Sequence, residues 1–291
     1  MSSQQNSSDI LQRFIFEEAP VRGEYIHLDK AFQEIIQQHA YPPSLKKLLG
    51  EVLCVAGLLR AVLKFDGHLT VQFSGEGKLK LLIAQCDHTF QLRALAKWEG
   101  KSLTEKQLMQ ALQEGTLAIM LDSDTGNRYQ GIVAWQGNSL AESLENYFKH
   151  SEQLATRIWL AVDDKSAAGF LLQIIPGKDS QEETAQLEDW QRITERMQHL
   201  TAKDLLSARY PDILNEFYAE EDVRIFPAQD VIFKCRCSQK RGEEAILILG
   251  KEEALAELDD KQTLVVTCDF CNREYVFDRD AVMSIFTQTK H

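Results

Sequence analysis

The first strong pattern along the chain is a run of apolar residues at helical spacing, which begins directly after Pro43. Ser44 is a candidate N-cap, because a serine hydroxyl accepts a hydrogen bond from one of the free amides at the start of a helix. Five charged residues interrupt the stretch from Leu45 to Phe65, which is too many for a membrane-spanning helix. The pattern predicts a buried helix with an apolar face made of Leu45, Leu48, Leu49, Val52, Leu53, Ala56, Leu59 and Leu63.

Short runs rich in β-forming residues surround this helix, with Gly, Asp or Asn between several of them. Ser139-Leu-Ala-Glu142 is typical of a capping box and predicts a second helix. Together these patterns predict an α+β, largely antiparallel core domain over residues 1–178. The seven predicted strands are His68–Phe73, Leu79–Ala84, Thr89–Leu95, Leu117–Leu121, Tyr129–Trp135, Ile158–Val162 and Phe170–Ile175.

The pattern becomes helical and strongly charged after residue 178, which predicts a helical linker over residues 179–229. Residues 179–230 contain thirteen acidic and five basic side chains, so this segment holds most of the chain's net charge of -12. Like charge opposes compaction, and we expect the linker to dock only marginally on the core domain. An ordinary solvated connector is the alternative. One apolar stripe along the first helix consists of Leu187, Trp190, Ile193, Met197 and Leu200.

Four cysteines dominate the C-terminal segment, residues 230–291. Cys235 and Cys237 form a Cys-x-Cys pair, and after thirty intervening residues Cys268 and Cys271 form a Cys-x-x-Cys pair. Two short pairs from separate segments can supply the four thiolates of a tetrahedral zinc ion. A unit of this size also needs a stabilising cross-link, because its core is small. The spacing predicts one zinc ion per chain, although the same sulfurs are close enough to form two disulfides.

Composition and charge exclude several other classes of protein. A net charge of -12 disfavours a nucleic-acid partner, because phosphate binding needs a basic surface. The polar N-terminus lacks the pattern of a secretory signal, so we expect a cytoplasmic protein. Cys54 and Cys86 stand alone in apolar segments and are expected to be buried core residues. We find no catalytic constellation of residues and expect that the protein is not an enzyme.

The cysteine pattern, in Phe-Lys-Cys235-Arg-Cys237-Ser and Val-Thr-Cys268-Asp-Phe-Cys271-Asn-Arg-Glu-Tyr, resembles that of the bacterial 33-kDa heat-shock family of redox-regulated chaperones. The resemblance extends over nearly the whole chain, in the same order of core, linker and zinc unit. Other stretches that resemble the family are Tyr41-Pro-Pro43 with Leu48-Leu-Gly-Glu51, Arg128-Tyr-Gln-Gly131-Ile, Ser139 to Phe148 and Glu220 to Phe226.

The resemblance implies an ATP-independent holdase that is inactive when reduced and zinc-bound. Under oxidative stress it implies Cys235–Cys237 and Cys268–Cys271 disulfides, loss of zinc, and unfolding of the C-terminal unit and the linker. The exposed surface would then bind unfolding client proteins. The family is also linked to dimerisation on activation and to transfer of clients to ATP-dependent foldase chaperones. The family has no short client-binding motif, so the apolar stripe of the linker is only a candidate client-binding surface.

Two other functions share the four cysteines. A zinc-ribbon adaptor would bind nucleic acid or a protein partner through a basic or aromatic surface, and oxidation would not activate it. A disulfide oxidoreductase would turn over a dithiol substrate, but its reactive thiolate usually lies at a helix N-terminus, whereas a strand-like segment follows Cys271. A comparison of client protection by the reduced and oxidised protein distinguishes the three functions.

Overall fold

The structure is a computed structural model in which the chain divides into two compact units, residues 1–233 and residues 234–291. The predicted junction at residue 178 lies outside the residues that the structure describes. Whether residues 1–178, 179–229 and 230–291 are separate folding domains stays a prediction. The described residues are 8–63, 65–123, 125–126, 128–176, 183–207 and 210–288.

The described part of the first unit contains helices and two sheets. Its helices are α1 (Lys30–Ile36), α2 (Pro43–Val62), α3 (Glu105–Glu114), α4 (Leu140–Tyr147), α5 (Glu183–Arg196), α6 (Ala202–Ser207) and α7 (Tyr210–Tyr218). Its strands are β1 (Ile10–Phe16), β2 (Val21–Leu28), β3 (Gly67–Ser74), β4 (Leu79–Asp87), β5 (Gln91–Trp98), β6 (Thr116–Ser123), β7 (Arg128–Val133), β8 (Thr156–Val162), β9 (Ala167–Ile174), β10 (Val223–Ile225), β11 (Gln229–Asp230) and β12 (Ile232–Phe233).

The two sheets confirm the predicted α+β, largely antiparallel architecture. The first sheet has the order β10-β1-β2-β9-β8, and β11 also pairs with β1. The second has the order β12-β5-β4-β3-β6-β7. Among the described strands, the pairing of β12 with β5 is parallel and the others are antiparallel. The seven predicted strands correspond to β3 to β9. Strands β1 and β2 were not predicted, because buried Gln12 and Glu24 break the alternation of apolar and polar residues.

Helix α2 is the predicted central helix, and it packs against strands of both sheets. Its apolar residues share one core cluster with inward-facing residues of β2, β4 and β9. The helix and the first sheet approach closely at Gly57, where a Cβ atom would lie 2.3 Å from Ile26 Cδ1. As predicted, Cys54 and Cys86 are fully buried. Burial raises the pKa of both thiols, so they stay protonated and unreactive.

The helix starts differ in part from the prediction. Ser44 is not an N-cap, because α2 begins at Pro43 and the Ser44 hydroxyl donates instead to the Leu103 carbonyl. Proline explains the difference, since its fixed φ suits the first helical position. Ser139 does cap α4, and its hydroxyl accepts from the Glu142 amide. The Glu142 carboxylate accepts from the Asn138 amide one residue before the cap, so the reciprocal half of the capping box is displaced.

The helices of the predicted linker pack on the first sheet. A second core cluster joins residues of α5, α6 and α7 to aromatic residues of β1, β2 and β9. The Tyr218 hydroxyl of α7 donates to the Ile193 carbonyl of α5 at 3.0 Å, which ties the two helices together. Residues 1–233 thus include the described linker helices in one compact unit.

The second unit consists of α8 (Gln239–Leu249), α9 (Lys251–Asp260), the hairpin of β13 (Leu264–Thr267) and β14 (Glu274–Phe277), and α10 (Arg279–Gln288). Its core is small. Within the described residues, the cluster of buried apolar side chains has six members, which are Ile246, Ala254, Leu258, Leu264, Phe277 and Val282. A core of this size is marginal without an additional cross-link.

Candidate metal centre

The first cysteine pair lies in the extended segment between β12 and α8. Residues two apart along an extended segment project to the same side, so Cys235 and Cys237 face one point. Ser238 follows at once and caps α8, with its hydroxyl accepting from the Arg241 amide at 3.3 Å. The start of the helix therefore fixes the position of Cys237.

The second pair lies in the turn of the β13–β14 hairpin. The Cys268 amide donates to the Arg273 carbonyl at 2.9 Å, and the Asn272 amide donates to the Cys268 carbonyl at 2.8 Å. Asn272 has a φ of 53°, in the left-handed region that asparagine tolerates better than most residues. The result is a tight turn that points Cys268 and Cys271 inward, the arrangement of a zinc knuckle.

The four sulfur atoms form one cluster, and all of them lie within 4.8 Å of one another. Two of the contacts join the two segments, with 3.5 Å between Cys235 Sγ and Cys268 Sγ and 3.5 Å between Cys237 Sγ and Cys271 Sγ. Thiolates bound to zinc at about 2.3 Å in a tetrahedron are separated by about 3.8 Å. The four cysteines are free thiols rather than disulfides. The donor set and its spacing fit a four-cysteine zinc site.

Hydrogen bonds make the sulfurs unequal. Burial opposes ionisation of Cys237, but the Tyr275 hydroxyl donates to it at 3.1 Å and, together with the neighbouring thiols, lowers its pKa to about 7. Burial raises the pKa of Cys268 and raises that of Cys271 to about 12. One thiolate thus forms readily, whereas further negative charges require a cation at the centre.

Backbone amides face the hairpin sulfurs. The amides of Phe270 and Cys271 donate to Cys268, and that of Arg273 donates to Cys271. Such donors stabilise thiolate over thiol. The sequence pattern did not predict these donors or Tyr275, whose hydroxyl reaches Cys237 only through the folded hairpin. Within the described residues, no second group of three or more His, Cys, Asp or Glu side chains is placed to hold a metal ion.

The candidate client-binding stripe does not form one exposed surface in this structure. Ile193 and Met197 are fully buried in the second core cluster, while Leu187 is 53% exposed. Trp190 and Leu200 are partly buried and pack against the same cluster. No helix in the described part of the chain is long and apolar enough to cross a membrane.

Comparisons with known proteins agree with this geometry. Residues 9–278 match the protein family described as Hsp33 protein. A 33 kDa chaperonin from Shewanella loihica is 39% identical over 280 residues, which cover 96% of this chain and 96% of that protein. A 33 kDa chaperonin from Pseudomonas paraeruginosa is 40% identical over 281 residues, which cover 96% of this chain and 95% of that protein.

The fold is also similar to a solved structure. The crystal structure of the 33 kDa chaperonin of Thermotoga maritima aligns with a TM-score of 0.82 at 23% sequence identity, over 97% of this chain and 98% of that one. The likeness extends over both compact units. From the family match, the curated relatives and the cysteine cluster together, we conclude that this chain belongs to the Hsp33 family of chaperones, which are not enzymes.

Proposed function

We propose that the protein is a redox-regulated, ATP-independent holdase. Its reduced, zinc-bound form is inactive, and its oxidised form binds unfolding proteins and prevents their aggregation. The observation that carries this proposal is the cluster of four sulfurs within 4.8 Å, in a unit whose described core has six buried apolar residues. The cluster is both the stabilising cross-link of that unit and its most oxidisable group.

The thiolates of Cys235 and Cys237 and those of Cys268 and Cys271 would hold zinc, which would offset part of their negative charge and cross-link the extended segment to the hairpin. Each pair of thiolates gives up two electrons and forms one S–S bond. Hypochlorous acid accepts the electrons and, with one proton, becomes chloride and water, while hydrogen peroxide with two protons becomes two waters. Both disulfides together consume two equivalents of oxidant and leave no thiolate to hold zinc.

We propose Cys235–Cys237 and Cys268–Cys271 as the disulfide pairs. In the reduced fold, sulfurs of different segments are also in contact, with 3.5 Å from Cys235 to Cys268 and 3.5 Å from Cys237 to Cys271. Those contacts depend on the fold that holds the segments together. The first disulfide removes two of the four thiolates and loosens the unit, and loop closure then favours the partners nearest in sequence, because the entropic cost of closure grows with loop length. The local pairing then leaves the two segments unconnected.

Loss of the cross-link unfolds the second unit, because a structural zinc site contributes on the order of 10 kcal/mol to folding. We propose that the linker helices then leave the first sheet. The buried contacts of Ile193 and Met197 stabilise them, assisted by ion pairs from Arg192 to Glu221 and from Arg196 to Glu220. The acidic excess of residues 179–230 works against this docking.

Release of the linker exposes two apolar surfaces, which are in contact in the docked state except at the half-exposed Leu187. One is the stripe of the linker, Leu187, Trp190, Ile193, Met197 and Leu200, which we propose as a client-binding surface. The other is the aromatic face of the first sheet, with Phe14, Phe16 and Phe170. Contiguous exposed apolar surface of this kind binds unfolded chains.

We also propose that the protein acts in the cytoplasm, dimerises on activation and passes its clients to ATP-dependent foldase chaperones. These three properties are what the resemblance to the Hsp33 family implies. The net charge of -12 argues against a nucleic-acid partner.

Light scattering by a heat-denatured client, without nucleotide, tests the proposal. The oxidised, zinc-free protein should suppress the scattering, and the reduced, zinc-bound protein should not. The variant Cys86→Ala is the matched control, because Cys86 is a fully buried thiol outside the cluster and should leave the switch intact. Equal suppression by both redox forms would indicate a constitutive chaperone, and turnover of a dithiol substrate would indicate an oxidoreductase.

A further inference from the structure

One short segment borders both sheets of the first unit. We name residues 222–233 the strap. Strands β10 and β11 of the strap pair with β1, at the edge of the first sheet, and β12 pairs with β5, at the edge of the second. The strap therefore occupies an edge of each sheet. Such edges present rows of backbone N–H and C=O groups that accept any extended chain.

Backbone hydrogen bonds hold the strap at these edges. The Glu17 amide donates to the Asp222 carbonyl at 2.9 Å, and the Phe226 amide donates to the Arg13 carbonyl at 3.0 Å. Further along, the Val231 amide donates to the Asp9 carbonyl at 3.1 Å. Contacts of this type depend on backbone rather than on side chains, so an unrelated extended segment can reproduce them.

The side chains of the strap show what such a segment must carry. Burial alternates from Gln229 to Phe233, the period of a strand with one face on a core. Val231 is 1% exposed and belongs to the main core cluster, and Phe233 packs against that cluster. Ile232 between them is 48% exposed. The positions of Val231 and Phe233 therefore accept apolar side chains at alternate residues of an extended segment.

The strap is held by short pairings. Strand β10 has three residues, and β11 and β12 have two each. Between Ile225 and Gln229 the register with β1 slips by one residue, across Pro227, which has no amide hydrogen to donate. A longer, uninterrupted segment would make more hydrogen bonds at the same edge.

The position of the strap in the chain couples it to both elements that we propose to unfold. It begins four residues after α7, the last linker helix, and ends two residues before Cys235. Loss of order on either side leaves one end of the strap unanchored. This inference therefore rests on the proposed function, in which oxidation unfolds both neighbours.

We infer that the strap is an internal occupant of a strand-docking site, and that the oxidised protein binds extended client segments at the edges of β1 and β5 after the strap leaves. The partner is an unfolded polypeptide with apolar residues at alternate positions. In the reduced protein the strap occupies the site and excludes clients. After oxidation of the cysteines the strap leaves, and the site becomes available to clients.

Synthetic strap peptides, residues 222–233 with a fluorescent label, test this inference against the full-length protein. The matched pair carries an N-methyl group at Arg224 or at Ile225. Arg224 pairs with Ile15, and the bond from Phe226 to Arg13 shows that the even-numbered residues before the register slip point their amides at β1. Fluorescence anisotropy should show binding of the unmodified peptide to the oxidised protein and not to the reduced protein. Methylation at Arg224 should weaken binding about tenfold, and methylation at Ile225 by less than twofold.

Competition and hydrogen exchange complete the test. Excess unmodified peptide should displace a bound client, and the amides of Phe226 and Val231 should exchange rapidly only after oxidation. The inference is overturned if those amides stay protected in the active form, if the two methylated peptides bind equally, or if the peptide fails to displace the client. Client protection by the oxidised protein, measured in the same samples, separates these outcomes from failure of the holdase proposal itself.

Discussion

Replacing Ile193 with aspartate should activate the protein without oxidation. Ile193 is fully buried in the cluster that joins the linker helices to the first sheet. Loss of a buried isoleucine side chain costs about 2 to 3 kcal/mol. Burying the unpaired aspartate carboxylate at the same site adds at least about 2 kcal/mol to the cost of docking the linker.

The two effects together shift the docking equilibrium of the linker by about three powers of ten, since about 1.4 kcal/mol corresponds to a factor of ten. We expect the reduced, zinc-bound Ile193→Asp variant to suppress client aggregation partly or fully. Amides of α5 should exchange faster than in the unmodified protein. Zinc content should stay unchanged, because the four cysteines are intact.

Gln191→Asp is the matched control for this experiment. It places the same charge on the same helix, at an exposed side chain outside the client-binding stripe, where substitutions usually change stability by no more than about 0.5 kcal/mol. The control should remain inactive while reduced. If Ile193→Asp frees α5 by hydrogen exchange, protects a client when oxidised, and still does not protect one when reduced, the linker is not the latch. Equal activity of the two variants would show that added charge, rather than undocking, causes activation.

Three further predictions concern metal and pH. The reduced protein should bind one zinc per chain by metal analysis, and Cys235→Ser with Cys268→Ser should abolish it; an unchanged zinc content would exclude the four-cysteine site. Chelation of the reduced protein should remove amide protection from residues 234–291 while α2 stays protected, and equal loss in both would refute the metal-dependent unit. Burial raises the pKa of Glu24 from 4.5 to about 8, although the charges of Arg22 and Arg13 lower it. Between these two values the folded protein holds a proton that the unfolded protein has lost. Stability should therefore fall as pH rises from 4.5 to about 8. Thermal melts of the Glu24→Gln variant should lack this dependence of stability on pH. The same dependence in the variant would show that another group causes it.

The parts of the fold that follow from local pattern could be predicted from the sequence. Helix α2 and strands β3 to β9 bury regularly spaced apolar residues, so their periodicity is visible without knowledge of their partners. Strands β1 and β2 bury polar side chains, including Glu24, whose environment is created only by the assembled sheet. The strands of the strap are too short to show a repeating apolar pattern in the sequence. They form because they pair with the edge strands β1 and β5.

The candidate metal site likewise contains some residues that could be predicted from the sequence and others that could not. The four cysteines could be identified from spacing alone, because short-range pairs of metal ligands are a local signal. Tyr275 could not be placed from spacing, because its hydroxyl reaches Cys237 only through the hairpin geometry and the packing of the unit. The linker stripe was visible as a helical face, but the distinction between buried Ile193 and exposed Leu187 depends on the surface against which the helix packs.

A single oxidation time course tests the central claim most directly. Reduced, zinc-loaded protein is treated with hypochlorous acid, and thiol content, released zinc and protection of a heat-denatured client are followed in the same samples without nucleotide. The account predicts that client protection is absent at the start, never precedes zinc release, and reverses when a reductant and zinc restore the cluster. Full client protection by the reduced protein, or loss of thiols and zinc with no gain of protection, would contradict it.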